Sequence, residues 1–174
     1  MKRLVVVNGT MGVGKSTVCQ ELKKLLAPCV YLDGDWCWDM NPFLVTPQYK
    51  RMVLENISFL LRNFLENPAL ETVIFGWVLP GEEILAELRQ RLTGIVFREY
   101  DFTLQCTQEA LRERLEKDIR SGRREPDIME RSMARLPLYE SMRTRKIDVT
   151  DISPREAAER IAAAVLQEEG EHGG

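Results

Sequence analysis

Residues 9–16, Gly-Thr-Met-Gly-Val-Gly-Lys-Ser, constrain the fold of this chain more than any other stretch. They match the pattern Gly-x-x-x-x-Gly-Lys-Ser/Thr, whose glycines let the backbone curl so that successive N–H groups point at one anion. An apolar run at residues 4–8 predicts a strand before this loop, and residues 17–27 predict a helix after it. In this strand-loop-helix context the pattern binds the phosphates of a nucleoside triphosphate.

The loop residues are expected to bind ATP together with Mg²⁺. Lys15 is expected to reach the β- and γ-phosphates, and the Ser16 hydroxyl is expected to ligate the metal. The rest of the phosphate-binding set is Gly9, Thr10, Met11, Gly12, Val13, Gly14 and Thr17. The alternative, a glycine-rich turn that only joins a strand to a helix, leaves the Lys-Ser pair unexplained.

Length and composition bound the class of protein. The chain has 174 residues, of which 44% are hydrophobic and 29% are charged. This predicts one soluble domain over residues 1–168 and a flexible Glu/Gly-rich tail at 169–174. No apolar run approaches the ~20 residues that cross a bilayer, and residues 1–3 lead into a strand rather than a signal-peptide core. We therefore expect a cytoplasmic protein with no membrane partner.

The cysteines and the histidine argue against several kinds of site. Cys19, Cys29, Cys37 and Cys106 are far apart and form no Cys-x-x-Cys pair, which argues against a zinc site or a disulfide framework. The single histidine, His172, lies in the predicted tail. Catalysis by a Ser-His or Cys-His pair is therefore excluded.

The net charge of −3 hides one basic segment. Residues 112–146 contain eleven Lys/Arg and seven Asp/Glu. A net acidic chain with one basic segment is not typical of a nucleic-acid-binding protein, and it indicates instead a segment that meets a compact anion. We therefore expect no nucleic-acid partner.

Strand-like and helix-like segments alternate along the chain. Strands are predicted at residues 4–8, 29–32, 72–76, 102–106 and 146–149, with helices between them and a last helix that begins at a Ser-x-x-Glu cap. This alternation predicts an α/β fold, a three-layer α/β/α arrangement with a five-stranded parallel sheet, which is the P-loop nucleoside triphosphate hydrolase fold. Ligands of such sheets bind beyond the carboxyl ends of the strands.

Asp33 and Asp35 flank one glycine at the end of the second predicted strand. In an extended chain, residues two apart point to the same side, so both carboxylates are expected beside the triphosphate. Asp33 is expected to hold a Mg²⁺-bound water and Asp35 to accept the proton of the attacking hydroxyl, with the opposite assignment left open. A solvated Asp-Gly turn is the alternative.

Glycine and proline interrupt the basic segment near residues 118–130, which predicts a mobile lid rather than a helix interior. Arginines on a lid can swing onto the transferring phosphoryl group and neutralise its charge. The candidates on the lid are Arg120 and Arg123 for that group and Arg124 for the nucleotide, and Arg114 on the flanking helix is a further candidate for the nucleotide. A solvated charge run is the alternative for each.

Aromatic residues cluster after the acidic pair, in a segment too broken by proline to form a core helix. They predict an acceptor pocket with a flat or apolar wall, although aromatics between two helices also suit a core. The candidate lining residues for a small-molecule acceptor are Trp36, Trp38, Phe43, Trp77 and Arg135.

Together these features resemble the small-molecule and nucleoside monophosphate kinase group of P-loop proteins, in particular shikimate kinases, gluconate kinases and antibiotic O-phosphotransferases. The resemblance depends on residues 9–16, the aspartate pair, Gly76, the basic lid and Arg135 before Leu-Pro-Leu-Tyr. It implies ATP-dependent transfer of the γ-phosphate to a hydroxyl. It also implies that the lid arginines close on ATP and that residues 150–153 lie against adenine.

The acceptor is not implied, since residues 36–43 do not match the shikimate or gluconate enzymes. Lys50, Arg51 and Arg62 are the only basic residues on the next helix, which favours a neutral or modestly charged acceptor; nucleoside monophosphate is the alternative. A GTPase-like switch is disfavoured because the chain lacks an Asp-x-x-Gly motif. Its nearest match to the guanine-binding motif Asn-Lys-x-Asp has Arg145 in place of the asparagine. An ATPase module acting on protein or nucleic acid lacks a second basic face.

Overall fold

The structure is a computed structural model that describes residues 1–171, with side chains through residue 167. In chain order the elements are β1 (Lys2–Asn8), α1 (Lys15–Leu25), β2 (Cys29–Asp33), a 3₁₀ helix (Gly34–Trp38), α2 (Pro47–Glu66), β3 (Thr72–Trp77), α3 (Glu82–Arg91), β4 (Phe97–Gln105), α4 (Gln108–Arg120), α5 (Ile128–Glu140), β5 (Arg145–Asp148) and α6 (Pro154–Glu171). Helix α6 covers the first residues of the predicted tail, and residues 172–174, with His172, lie outside the described residues. Within residues 1–171, no helix is both long and apolar enough to span a membrane.

The strands of the described chain form one parallel sheet in the order β2-β3-β1-β4-β5. The predicted three-layer fold with a five-stranded parallel sheet is therefore confirmed. Strand β1 lies at the centre, where Val7 is paired with Gly76 of β3 and with Phe102 of β4. The loop that leaves β1 consequently emerges between the ends of its two neighbours, which is where ligands of such sheets bind.

The alternating side chains of β1 build a core on each face of the sheet. Val5 and Val7 pack with residues of α1 and α6, and Leu4 and Val6 pack with residues of α2 and α3. Each buried aliphatic side chain of this kind contributes about 1.5–3 kcal/mol to stability. A strand covered on both faces needs the unbroken apolar run that the sequence has here.

A third apolar cluster joins α4 to α5. Leu111 and Leu115 of α4 pack against Ile128 of α5, and all three are buried. This cluster anchors both ends of residues 121–127, the connection that carries the basic lid. The lid therefore connects two packed helices, and its own residues lie at the edge of the fold.

Strand β4 is longer than its sequence predicts. It begins at Phe97, whereas the sequence predicted a strand only from residue 102. The difference arises from Glu99 and Asp101, because charged residues are not typical of a buried strand. In the fold both pair with one arginine of α3, because Arg89 lies 3.0 Å from Glu99 and 2.5 Å from Asp101. This partner lets the strand continue through charged positions.

Candidate active site

The loop between β1 and α1 has the backbone that phosphate binding requires. Gly12 and Gly14 have φ angles of +85° and +106°, in the left-handed region that glycine adopts without strain. A Cβ on Gly12 would also lie 2.5 Å from Cδ2 of Leu115, so α4 packs directly against the loop. Gly14 precedes the first turn of α1, whose unpaired N–H groups face the same side as the loop.

Lys15 lies inside the loop. Its Nζ donates hydrogen bonds to the carbonyl oxygens of Gly9, at 2.8 Å, and Thr10, at 2.9 Å. Burial lowers the pKa of Lys15 to about 8, while the carboxylates of Asp35 and Asp33 act in the opposite direction. A desolvated ammonium held by two carbonyl oxygens of the loop is well placed to bind an anion that enters the loop.

Two of the predicted loop residues are buried and attach the loop to the rest of the fold. Gly9 and Thr10 are buried, and the Thr10 hydroxyl donates to the carbonyl of Ser132 on α5 at 2.9 Å. The remaining predicted loop residues line a cavity of about 850 Å³, which we call the loop cavity. Its lining residues from other parts of the chain include Asp33, Asp35, Arg114, Lys117, Asp118, Arg123, Arg124, Val149, Ile152 and Pro154.

Asn8 is a buried residue of the site that the sequence analysis missed. Its side-chain amide donates to the carbonyl of Leu79 at 2.8 Å, and its Oδ1 accepts the N–H groups of Gly9 and Leu79, each at 2.8 Å. These bonds fix the start of the phosphate loop against the segment after β3. The available signal was a polar residue at the end of a buried valine run.

Asp33 connects the loop to β2. Its Oδ2 accepts a hydrogen bond from the Ser16 hydroxyl at 3.1 Å and another from the Tyr31 hydroxyl at 2.8 Å. Mg²⁺ prefers oxygen ligands and takes one or two of them from protein, with phosphates and water completing its shell. The Ser16 and Asp33 oxygens lie next to each other beside the loop, so this donor pair fits the expected metal. Tyr31 was missed by the sequence analysis.

The sequence analysis assumed an extended backbone between the two aspartates, and this assumption is wrong. Asp33 caps a 3₁₀ helix, and its Oδ1 accepts the N–H of Asp35 at 3.0 Å. Both aspartates nevertheless line the loop cavity. Their convergence comes from this cap, which turns the chain at the end of β2.

Asp35 is hydrogen-bonded to a tryptophan from β3. The indole Nε1 of Trp77 donates to Oδ1 of Asp35 at 3.1 Å. Burial and the nearby Asp33 raise the pKa of Asp35, whereas Lys15 and the indole hydrogen bond act to lower it. A carboxylate with a raised pKa beside an anion site is suited to accept a proton from a substrate.

Gly34 is required by the packing of that tryptophan. A Cβ on Gly34 would lie within 2.5 Å of Cδ1 of the Trp77 ring, so the indole rests directly on the Gly34 backbone. The Asp-Gly-Asp sequence therefore reflects a steric requirement as well as the two carboxylates.

The lid arginines differ in their placement. Arg123 and Arg124 both pair with Asp118, at 3.3 and 3.2 Å, and both line the loop cavity. Arg120, in contrast, is exposed at the end of α4 and is not among the described residues that line either cavity. Of the lid candidates, the structure therefore brings only Arg123 and Arg124 to the site.

Arg114 joins three parts of the site. Its guanidinium donates to the carbonyl of Val13 in the loop at 3.1 Å, and to the carbonyls of Val149 and Thr150, at 2.5 and 3.3 Å. These contacts hold the segment after β5 beside the phosphate loop. The guanidinium itself is thus engaged with backbone oxygens at the wall of the loop cavity.

A second cavity, of about 1110 Å³, adjoins the first, and we call it the tryptophan cavity. It is lined by all three tryptophans of the chain and by Phe43 and Arg135, the residues that the sequence analysis named as candidate lining of an acceptor pocket. Met11, Asp33 and Asp35 line both cavities, so the acidic pair lies where they meet.

Four cations line the tryptophan cavity. Lys50 and Arg51 come from α2, and Arg131 and Arg135 come from α5. Arg131 pairs with Asp127 at 3.2 Å, whereas Arg135 has no carboxylate partner among residues 1–167. The sequence analysis named Arg135 and the basic residues of α2 but missed Arg131. Asp39 and Glu87 line the same cavity.

Arg62 does not belong to this set. Its guanidinium donates to the carbonyls of Arg91 and Thr93, at 2.6 and 3.2 Å, and so ties α2 to the end of α3.

The fold and the site are those of a P-loop protein. The family described as "AAA domain" matches residues 5–135. The chain therefore belongs to this family. No curated protein sequence matches the chain.

Three solved structures illustrate the similarity in fold. The tunicamycin resistance protein of Deinococcus radiodurans has a TM-score of 0.67 and 20% identity, with 95% of this chain and 96% of that one covered. A gluconokinase from Sinorhizobium meliloti 1021 has a TM-score of 0.66 and 18% identity, with 96% and 94% covered. The shikimate kinase of Acinetobacter baumannii, in complex with shikimate, has a TM-score of 0.65 and 20% identity, with 97% and 95% covered. These matches confirm the predicted resemblance to P-loop small-molecule kinases at the level of the fold.

Proposed function

We propose that this chain is an ATP-dependent kinase that transfers the γ-phosphate to a hydroxyl of a small-molecule acceptor. The observation that carries this proposal is the position of Asp33 and Asp35 where the two cavities meet. A reaction between two substrates needs both of them to reach one point, with a proton acceptor at that point. The loop cavity supplies the phosphate-binding groups, and the tryptophan cavity offers room for the acceptor.

Each group near this point has a proposed role. The loop N–H groups and Lys15 bind the phosphates, and Arg123 and Arg124 neutralise charge as the phosphoryl group moves. Ser16 and Asp33 hold Mg²⁺, which when bound neutralises charge on the β- and γ-phosphates. Val149, Ile152 and Pro154, which also line the loop cavity, are proposed to lie against the adenine ring.

Asp35 is the proposed proton acceptor. Trp77 donates a hydrogen bond to its Oδ1. Its Oδ2 accepts no hydrogen bond from a side chain within residues 1–167. That oxygen can therefore accept the proton of an acceptor hydroxyl without breaking a bond within the protein.

The test is acceptor-dependent ADP release, scored over a panel of nucleosides, nucleotides, sugars, aminoglycosides and phenolic alcohols. An active acceptor should raise ADP release, and Asp35→Asn should lower that rate by about 10²–10⁴-fold. Glu109→Gln, an exposed change on α4 outside both cavities, is the matched control. ATP hydrolysis that no acceptor stimulates, or an unchanged rate in Asp35→Asn, would contradict this function.

A second candidate is nucleoside monophosphate kinase activity, which the four cations of the tryptophan cavity favour. A phosphate acceptor is already anionic and needs no proton acceptor, so Asp35→Asn should then cost far less than it does with a hydroxyl acceptor. Arg135→Gln should weaken such an acceptor by about tenfold or more, because a charge-assisted hydrogen bond is lost. Arg112→Gln, an exposed change on α4, is the control.

A further inference from the structure

We propose that the acceptor presents a flat, unsaturated ring to the tryptophan cavity, and that Trp77 is a positioning residue that joins this aromatic wall to Asp35. The inference rests on the proposed function for the identity of the reacting groups. It adds the class of acceptor and a residue that places the proton-accepting carboxylate.

The aromatic wall is largely uncovered by protein. Trp36 is 58% exposed and Phe43 is 61% exposed, and both line the tryptophan cavity. The rings also contact their neighbours: Trp38 and Phe43 have centroids 5.8 Å apart, and Tyr31 meets Trp36 edge-on at 5.5 Å. An exposed ring face buries the largest area against another flat ring, because the axial hydrogens of a saturated ring hold its atoms away.

Each carboxylate at the meeting point is hydrogen-bonded to an aromatic side chain. The Tyr31 hydroxyl donates to Asp33, and the ring of Tyr31 packs against Trp36. The Trp77 indole donates to Asp35, and Trp77 itself lines the tryptophan cavity. The aromatic wall is therefore linked to both carboxylates, to Asp33 through Tyr31 and to Asp35 through Trp77.

Trp77 is held more firmly than the other two tryptophans. It is 9% exposed, its ring packs 6.2 Å from Phe75 in the core, and it rests on the backbone of Gly34. Because this packing restricts rotation of the ring, its N–H holds Oδ1 of Asp35 and leaves Oδ2 without a side-chain hydrogen bond among residues 1–167. This contact orients the carboxylate without requiring Trp77 to touch the reacting atoms.

The flat-ring assignment is tested by binding alone, without ATP. The chain has only three tryptophans, all at this cavity, so every indole N–H resonance in an ¹⁵N spectrum reports on it. The probes are 3-(hydroxymethyl)benzoate and 3-(hydroxymethyl)cyclohexanecarboxylate, which share charge and hydroxyl and differ in planarity. We expect the planar probe to shift the indole resonances and to bind at least about fivefold more tightly. Equal binding of the two probes, or shifts from neither at millimolar concentration, would overturn the assignment.

The role of Trp77 is tested with matched variants. Asp35→Asn should move one indole resonance, the one lost in Trp77→Phe, and leave the other two in place. With an active acceptor, Trp77→Phe keeps a ring but loses the donor, so kcat should fall by roughly 5- to 10-fold while KM stays within about twofold. Trp36→Leu removes an aromatic ring from the wall and keeps the hydrogen bond between Trp77 and Asp35, so it should raise KM and leave kcat nearly unchanged.

The outcomes separate the two proposals. An equal effect of Trp77→Phe on kcat and KM, or an Asp35→Asn spectrum with all indole resonances unmoved, would overturn the positioning role. Selective binding of the planar probe in a protein that phosphorylates nothing would overturn the proposed kinase activity and leave the flat-ring site supported.

Discussion

The hydroxyl of Ser16 lies 3.1 Å from Oδ2 of Asp33, although one residue belongs to a helix and the other to a strand. Ser16 is in the first turn of α1, and Asp33 is the last residue of β2. The contact exists because β2 and β3 are paired, and β3 is paired with β1, whose loop leads into α1. Two oxygen donors suited to Mg²⁺ are thus brought together by strand order alone.

This contact predicts how nucleotide affinity depends on the metal. Ser16→Ala and Asp33→Asn should each reduce the affinity for Mg-ATP by about 10- to 100-fold, since the first removes an oxygen donor from the metal site and the second removes its negative charge. Affinity for ATP in the presence of a chelator should stay within about threefold of the unaltered protein. Titration calorimetry with and without Mg²⁺ measures both, and Thr93→Ala, which removes an exposed hydroxyl outside both cavities, is the control. An equal loss with and without metal would show that these residues act on the loop itself.

Lys15 yields a prediction that separates ligand binding from stability. Its ammonium is buried against carbonyl oxygens, so Lys15→Ala removes a desolvated charge and should leave the melting temperature unchanged or slightly raised. The rise in melting temperature on adding Mg-ATP should be lost, because the charge-assisted bonds to phosphate are gone. Lys24→Ala, which changes an exposed lysine of the same helix, should retain that rise. A full ligand-induced rise in Lys15→Ala would contradict the role of Lys15.

Local pattern was sufficient to predict the fold and the phosphate loop. The valine run of β1 and residues 9–16 are contiguous, and their periodicity and spacing specify a buried strand and an anion site without any knowledge of partners. The same holds for the carboxyl-end location of Asp33 and Asp35, since every strand of a parallel sheet ends at one edge.

The parts that sequence did not predict depend on contacts between distant residues. The indole of Trp77 and the carboxylate of Asp35 are 42 residues apart, and no local pattern encodes a hydrogen bond of that separation. Arg131 is overlooked for the same reason, because only the packing of α5 brings it to the tryptophan cavity. The predicted β4 began too late because the charged residues of this strand have their partner, Arg89, on another element.

Gly34 yields a prediction about the packing of Trp77. Gly34→Ala places a methyl group in the space of the indole ring, so it should reduce the free energy of unfolding by about 1–3 kcal/mol and displace the hydrogen bond to Asp35. The double variant Gly34→Ala/Trp77→Ala should lose less stability than the two single changes added together, because the clash is relieved. Denaturant titration of the four proteins measures this coupling. Additive losses would show that the Gly34 backbone and the ring do not compete for space.

Asp101 yields a prediction about pH. Burial and the neighbouring Glu99 raise the pKa of Asp101 to about 7, against the pull of Arg89, whereas an unfolded aspartate titrates near pH 3.9. The folded protein therefore holds this proton more tightly, so the contribution of Asp101 to stability is complete below about pH 4 and is lost as the pH rises through 7. Asp101→Asn cannot ionise, and its free energy of unfolding should fall less steeply from pH 4 to 8, by at most about 4 kcal/mol in total. Asp151→Asn, which changes an exposed carboxyl group, should keep the original slope in urea titrations. Identical slopes in Asp101→Asn and the unaltered protein would mean that Arg89 keeps Asp101 ionised throughout.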